Sequence, residues 1–185
     1  MPVRVGESRP GSWPGTIADA RPAAVLVLVV PTPAGEAAVV LIERATGGRH
    51  HSGEVSFPGG RAEDADDDLV ATAIREAEEE IGLDAVAADM HVAGTIEPFW
   101  IPVSNYRVTP VVAIAGRPPA LSASPDEVAA IVEAPFSLFV PPAPIEIVER
   151  DLGEWRIRYG GYRIGGLHVW GATARILGQL GAFLA

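Results

Sequence analysis

The sequence contains no cysteine, which excludes disulfides, a thiolate nucleophile and sulfur-ligated zinc or iron. Long apolar runs are also missing. The longest, Ala23 to Val30, is far too short to span a bilayer, and Met1 to Ala20 holds no apolar segment of the kind a secretory signal needs. Positive charge is scarce: 14 basic against 24 acidic residues give a net charge of −10, which argues against a duplex-DNA or anionic-membrane surface. An anionic ligand would therefore need something other than net charge to attract it. Aromatic residues are few, at 5 Phe, 4 Trp and 3 Tyr, yet 48% hydrophobic and 21% charged residues make a globular composition rather than a disordered tail or a fibre. The expectation is a soluble protein of the reducing cytoplasm, without nucleic-acid or membrane partners.

What is present is enough for one domain, since 185 residues can bury most of the apolar surface they carry. Residues 1–22, broken by Pro2, Pro10, Pro14 and Gly15, read as an irregular arm, and 23–185 as a single domain. Ala23–Val30 and Ala37–Ile42, on either side of the turn segment PTPAGE, predict a hairpin containing a doubly buried strand. Glu43 to Asp66 reads as a long irregular stretch, and loops of that length in a compact domain are usually functional. Further strands are expected at His91–Glu97, Val108–Ala115, Val128–Glu133, Ile145–Glu149 and Glu154–Tyr159, with a last helix from about Leu167 to Leu184. Strands grouped around two helices predict an α/β (α+β) fold, a mixed sheet sandwiched between helices.

The first helix, expected over Asp67–Leu83, carries the chemistry. Val70, Ile74, Ala77 and Ile81 form its apolar stripe, while Glu76, Glu79 and Glu80 gather on the other side. Like charges at i, i+3 and i+4 cost a helix a few tenths of a kcal/mol per pair, roughly, so the arrangement needs a reason. A solvated acidic face with Arg75 paired to Glu79 is one. The other is a centre for Mg²⁺ or Mn²⁺, which take oxygen ligands and grip phosphates, next to the glycine turn Phe57-Pro58-Gly59-Gly60. Divalent ions would also invert the local potential and so reconcile an acidic protein with an anionic substrate.

Gly60 to Leu83 resembles the Nudix box, G-x5-E-x7-R-E-U-x-E-E-x-G-U with U a bulky apolar residue. Arg75-Glu76-Ala77-Glu78-Glu79-Glu80-Ile81-Gly82-Leu83 follows the second half, with Ala77 small for U. Counting back from Arg75 puts Asp67 at the first acid and Arg61 at the glycine, so the loop after Gly60 is one residue longer than the pattern, and Asp66 is the alternative occupant of the acidic position. The resemblance implies a Nudix fold, Glu76, Glu79 and Glu80 as ligands of Mg²⁺ or Mn²⁺, a contribution from the Gly59 carbonyl, and Arg75 orienting the glutamates.

The preceding segment is similar to the signature of coenzyme A pyrophosphatases within that superfamily, L-L-T-x-R-[SA]-x3-R-x3-G-x3-F-P-G-G. Here the chain reads Val40-Leu41-Ile42-Glu43-Arg44-Ala45, then Arg49, Gly53 and Phe57-Pro58-Gly59-Gly60. Arg44 and Arg49 in a glycine-rich loop make physical sense as a clamp on phosphate oxygens, which guanidinium forks bind bidentately. With Gly59 and Gly60 they are the candidate substrate-binding residues. The resemblance implies hydrolysis of coenzyme A or acyl-coenzyme A to 3′,5′-ADP and 4′-phosphopantetheine or its acyl form. Two rivals stand beside it: a Nudix enzyme for ADP-ribose, NADH or a dinucleoside polyphosphate, and a non-catalytic nucleotide sensor on the same fold. His50 and His51 are assigned no catalytic role. Asp126-Glu127 offers a further carboxylate near the metals or a plain surface turn, and Phe99, Trp100 and Tyr106 offer adenine stacking or core packing.

Overall fold

The computed structural model describes residues 3–5, 16–45, 53–151 and 156–183. In chain order the strands and helices are β1 (Val3–Val5), β2 (Arg21–Pro31), β3 (Ala37–Arg44), β4 (Val55–Ser56), β5 (Gly59–Arg61), α1 (Leu69–Ile81), β6 (Met90–Thr95), β7 (Phe99–Ile101), β8 (Tyr106–Ala115), β9 (Val128–Pro135), β10 (Glu146–Asp151), β11 (Arg156–Ile164), β12 (Leu167–Val169) and α2 (Gly171–Phe183). Eight of these strands form one mixed sheet, with β2 at its centre. β2 runs parallel to β8 over Arg21–Val29 and antiparallel to β3 and β5 on its other edge. β9 and β4 extend the β3 side, while β6 and β7 extend the β8 side. A smaller sheet joins β1, β11 and β10, with β12 on β11.

Side-chain alternation along β2 and β3 divides the core in two, as a strand buried on both faces requires. Ala24, Leu26, Leu28, Val30, Ala38, Val40 and Ile42 meet Ala73, Ala77 and Ile81 of α1. Val27, Val39 and Leu41 face the other way, onto Ile176, Leu177 and Leu180 of α2 and onto Tyr162 and Ile164 of β11. The expected hairpin and the sandwiched mixed sheet are therefore both present. No helix among the described residues is long and apolar enough to cross a membrane.

Several boundaries differ from expectation, each for a local reason. α1 is shorter by two residues at each end: the Asp68 carboxylate accepts from Val70 N and Ala71 N, both at 2.8 Å, as its N-cap, and Gly82 closes it at φ +61° in the left-handed region. The last helix starts at Gly171 because Ile164-Gly165-Gly166-Leu167 is a tight turn, with Gly165 at φ +57°, that pairs β12 with β11. Arg21 and Pro22, placed in the irregular arm, begin β2, and Val3–Val5 pairs with β11. Gly59–Arg61, read as loop, is a strand against Ala23–Val25, and the short β7 went unread.

Candidate active site

Gly59 makes the site possible. It sits at φ +153°, and a Cβ there would lie 2.6 Å from Val25 Cα, so only glycine brings this strand against β2. That approach aims the Gly59 amide at α1, where it donates to Glu80 Oε2 at 2.9 Å. Gly60, the next residue, lies against the carboxylate of Glu76, with room for no side chain: a Cβ would come within 2.6 Å of both Oε2 and the carboxyl carbon. Arg44, the last residue of β3, reaches the same helix and donates from Nη2 to Glu80 Oε1 at 3.3 Å.

Glu80 is not on the solvent side of α1, as the helical wheel had it. It follows Ala73 by two turns, shares its face, and is 1% exposed. Burial pushes its carboxyl up to about 7; the Gly59 amide and the Arg44 guanidinium oppose that shift, and the charges of Glu76 and Glu127 add to it. Glu76 is raised too, chiefly by burial, with Arg75 opposing and Glu79 and Glu127 reinforcing. Glu79 alone of the three is largely exposed, at 59% of its side chain. Asp126 and Glu127 stand exposed in the turn that enters β9, and the charge of Glu127 is felt by both inner glutamates.

Arg75 ties the array together. Its Nε and Nη2 fork onto the Oδ1 and Oδ2 of Asp66 at 2.8 and 3.0 Å, Nη2 also donates to the Arg61 carbonyl at 3.1 Å, and Nη1 reaches Glu76 at 3.1 Å and Glu79 at 3.3 Å. Asp66 additionally accepts from Glu63 N and Thr72 Oγ1. The hydrogen-bonded Arg75 guanidinium holds the Asp66 carboxyl well below the usual carboxylate range, and Asp66 in turn raises Arg75. The acid that serves the arginine is thus Asp66, while Asp67 is exposed. Neither Thr72 nor the Arg61 carbonyl was legible as a partner of this pair.

Among the sequence-derived candidates, Glu76, Glu80, Arg75, Gly59, Gly60 and Arg44 converge, and Glu79 joins them through Arg75. Arg49, with His50 and His51, lies outside the described residues. The three aromatics are otherwise engaged. Phe99 is buried beneath the Arg175 guanidinium, 4.4 Å from its centroid, Trp100 Nε1 donates to Asn105 Oδ1 at 3.0 Å, and Arg21 covers Tyr106 at 4.2 Å. The side chains that could ligate a cation here are all carboxylates, a chemistry that suits a hard divalent ion, but among the described residues no three of them stand as a group that could hold one, so an ion would have to draw them together.

Fold and site together define an α/β sandwich with a glycine strand set against an acidic helix. Residues 20–152 match the NUDIX domain model, and the chain belongs to that family. It is 41% identical over 161 residues to the chloroplastic Nudix hydrolase 22 of Arabidopsis thaliana, a match covering 84% of this chain and 52% of the plant protein. An uncharacterized Nudix hydrolase, NudL, from Cronobacter sakazakii is 41% identical over 165 residues, covering 86% of this chain and 81% of that protein. The chain spans about half the length of the Arabidopsis relatives it matches and most of the bacterial one. Among solved structures, the Nudix hydrolase RenU from M. smegmatis superposes with a TM-score of 0.53 at 29% identity, over 64% of this chain and 73% of that one.

Proposed function

We propose that this chain is a Mg²⁺- or Mn²⁺-dependent hydrolase of phosphoric anhydrides, and that its substrate is coenzyme A or acyl-coenzyme A, cut to 3′,5′-ADP and (acyl-)4′-phosphopantetheine. The observation that carries the hydrolase reading is the buried Glu80, held by Gly59 and Arg44 beside Glu76. A binding module gains nothing from burying a carboxylate that costs stability, whereas a centre that exchanges a cation there does. The finer substrate reading is supported by the segment from Val40 to Gly60, which shares its arginine and glycine spacing with coenzyme A pyrophosphatases.

In this reading Glu76, Glu79, Glu80 and the Gly59 carbonyl hold the cation, and Gly60 leaves Glu76 free to turn toward it. Arg75, fixed by Asp66, keeps Glu76 and Glu79 in place. Arg44 and Arg49 take the phosphate oxygens, with Gly59 and Gly60 lining the approach. When bound, a divalent cation would supply Lewis acidity toward the diphosphate and lower the pKa of a water. A carboxylate of the cluster would take the proton of the water whose oxygen bonds to phosphorus as the bridging P–O bond breaks, the two products leaving as phosphate monoesters. The cysteine-free composition is compatible with a reducing cytoplasm.

The test is product release from coenzyme A, dephospho-coenzyme A, ADP-ribose, NADH and a diadenosine polyphosphate, each with Mg²⁺, Mn²⁺ or chelator. Coenzyme A should be cut fastest and only with metal. Glu79→Gln and Glu80→Gln should each abolish turnover in folded protein. A faster rate on ADP-ribose or NADH would overturn the substrate assignment, and no metal-dependent cleavage of any compound would overturn the hydrolase.

A further inference from the structure

Two arginines touch the acidic helix, and their settings differ. Arg75 is pinned by Asp66, the Arg61 carbonyl, Glu76 and Glu79, so it cannot leave without breaking several charge-assisted bonds. Among the described residues, the Arg44 side chain's ion pair is a long one, 3.3 Å to Glu80 Oε1, from a side chain one-third exposed, at the end of β3 where the register with β9 shifts. The two oxygens of Glu80 are shared in the same unequal way. Oε2 belongs to the Gly59 amide, which the backbone of β5 fixes, and Oε1 belongs to Arg44. A cation that takes Glu80 through its free-standing oxygen meets a guanidinium already there, and two positive charges on one carboxylate oxygen repel.

We infer that Arg44 is the resident counter-cation of Glu80, displaced from Oε1 by an arriving divalent ion and thereby released to hold the diphosphate. This deepens the hydrolase reading and rests on it. The consequence is a linkage: the cation frees the arginine that the substrate uses, so each favours the other through Arg44, over and above any bridging of the diphosphate by the metal itself. It also explains how one arginine serves both a buried carboxylate and a phosphate clamp.

The experiment is Mn²⁺ binding by calorimetry at pH 8.5, with and without methylenediphosphonate as a non-hydrolysable P–C–P probe, on wild type, Arg44→Ala, Arg44→Gln and Arg44→Lys. Removing the charge should tighten Mn²⁺ binding in the absence of probe, about three- to tenfold for one unit charge lost from a partly solvated site. It should also remove most of the extra tightening that the probe gives wild type. Arg44→Gln should match Arg44→Ala, and Arg44→Lys should stay near wild type. Unchanged or weaker Mn²⁺ binding in both uncharged variants, or an undiminished effect of the probe, would overturn the exchange while leaving the hydrolase intact. No Mn²⁺ uptake by wild type would take both down.

Discussion

The carboxylate of Asp66 accepts four hydrogen bonds, from Glu63 N, Thr72 Oγ1 and the Nε and Nη2 of Arg75, and its side chain is only 5% exposed. Asp67, one position on, is exposed. Counting along the sequence cannot choose between them, because the loop after Gly60 carries one extra residue and either acid fits a one-dimensional pattern. The choice is made in space, by which carboxylate the loop turns back toward the fork of Arg75. Asp66→Ala removes the acceptor of both forked Arg75 bonds and of the Glu63 and Thr72 bonds, so it should lower the urea midpoint measurably and loosen Glu76 and Glu79, whereas Asp67→Ala should leave the midpoint near that of wild type. Equal effects of the two substitutions would return the assignment to the sequence count.

At the scale of elements, the acidic helix was legible and the strands around it partly so. Its apolar period, acidic entry and closing glycine all point to the same span, and only the caps Asp68 and Gly82 trimmed it. Glu80 falls about 20° from Ala73 on a wheel, at the flank of the apolar stripe and not opposite it, and its burial is completed by a glycine strand that reads as loop. β5 has no strand composition; it exists because Gly59 lets the backbone approach β2 closely, while Gly60 makes room for the Glu76 carboxylate of α1. The second helix shows the same dependence on close approach. A Cβ on Gly181 would collide with the Phe139 carbonyl, and one on Gly178 would come within 3.1 Å of Tyr162 Oη, so these glycines let α2 seat closely while Ile176, Leu177 and Leu180 fill the core beside them. Because the Gly181 neighbour is backbone and cannot swing away, Gly181→Ala should destabilise by about 1–3 kcal/mol through overpacking. Chemical denaturation would show it, and a variant as stable as wild type would mean that α2 does not seat there.

For the molecule as a whole, the charge inventory makes one titration readable. All 14 basic residues are arginine, with neither lysine nor cysteine, so the chain carries no amine or thiol side chain. The folded state holds the Glu80 proton to about pH 7, against an ordinary value of 4.5, because the carboxyl is buried. A folded state that keeps a proton the unfolded chain has already released is favoured at low pH. The stabilisation is full below 4.5 and is lost as pH rises through 7. The shift corresponds to about 3 kcal/mol to order of magnitude, with the opposing pull of Arg44 already included in it. In chelator, wild type should lose stability from pH 5.5 to 8.5, and Glu80→Gln should lose less, the difference between them isolating Glu80. Mn²⁺ at 100 times its dissociation constant should restore about 2.7 kcal/mol to wild type at pH 8.5, since it takes the place of the missing proton. It should do far less for Glu80→Gln, and sodium chloride at matched ionic strength should not substitute. Urea unfolding at three pH values, with chelator and with Mn²⁺, measures all of this. Parallel pH profiles for the two proteins would mean that Glu80 is already ionised in the metal-free fold, and that the charge imbalance of this acidic chain is settled elsewhere.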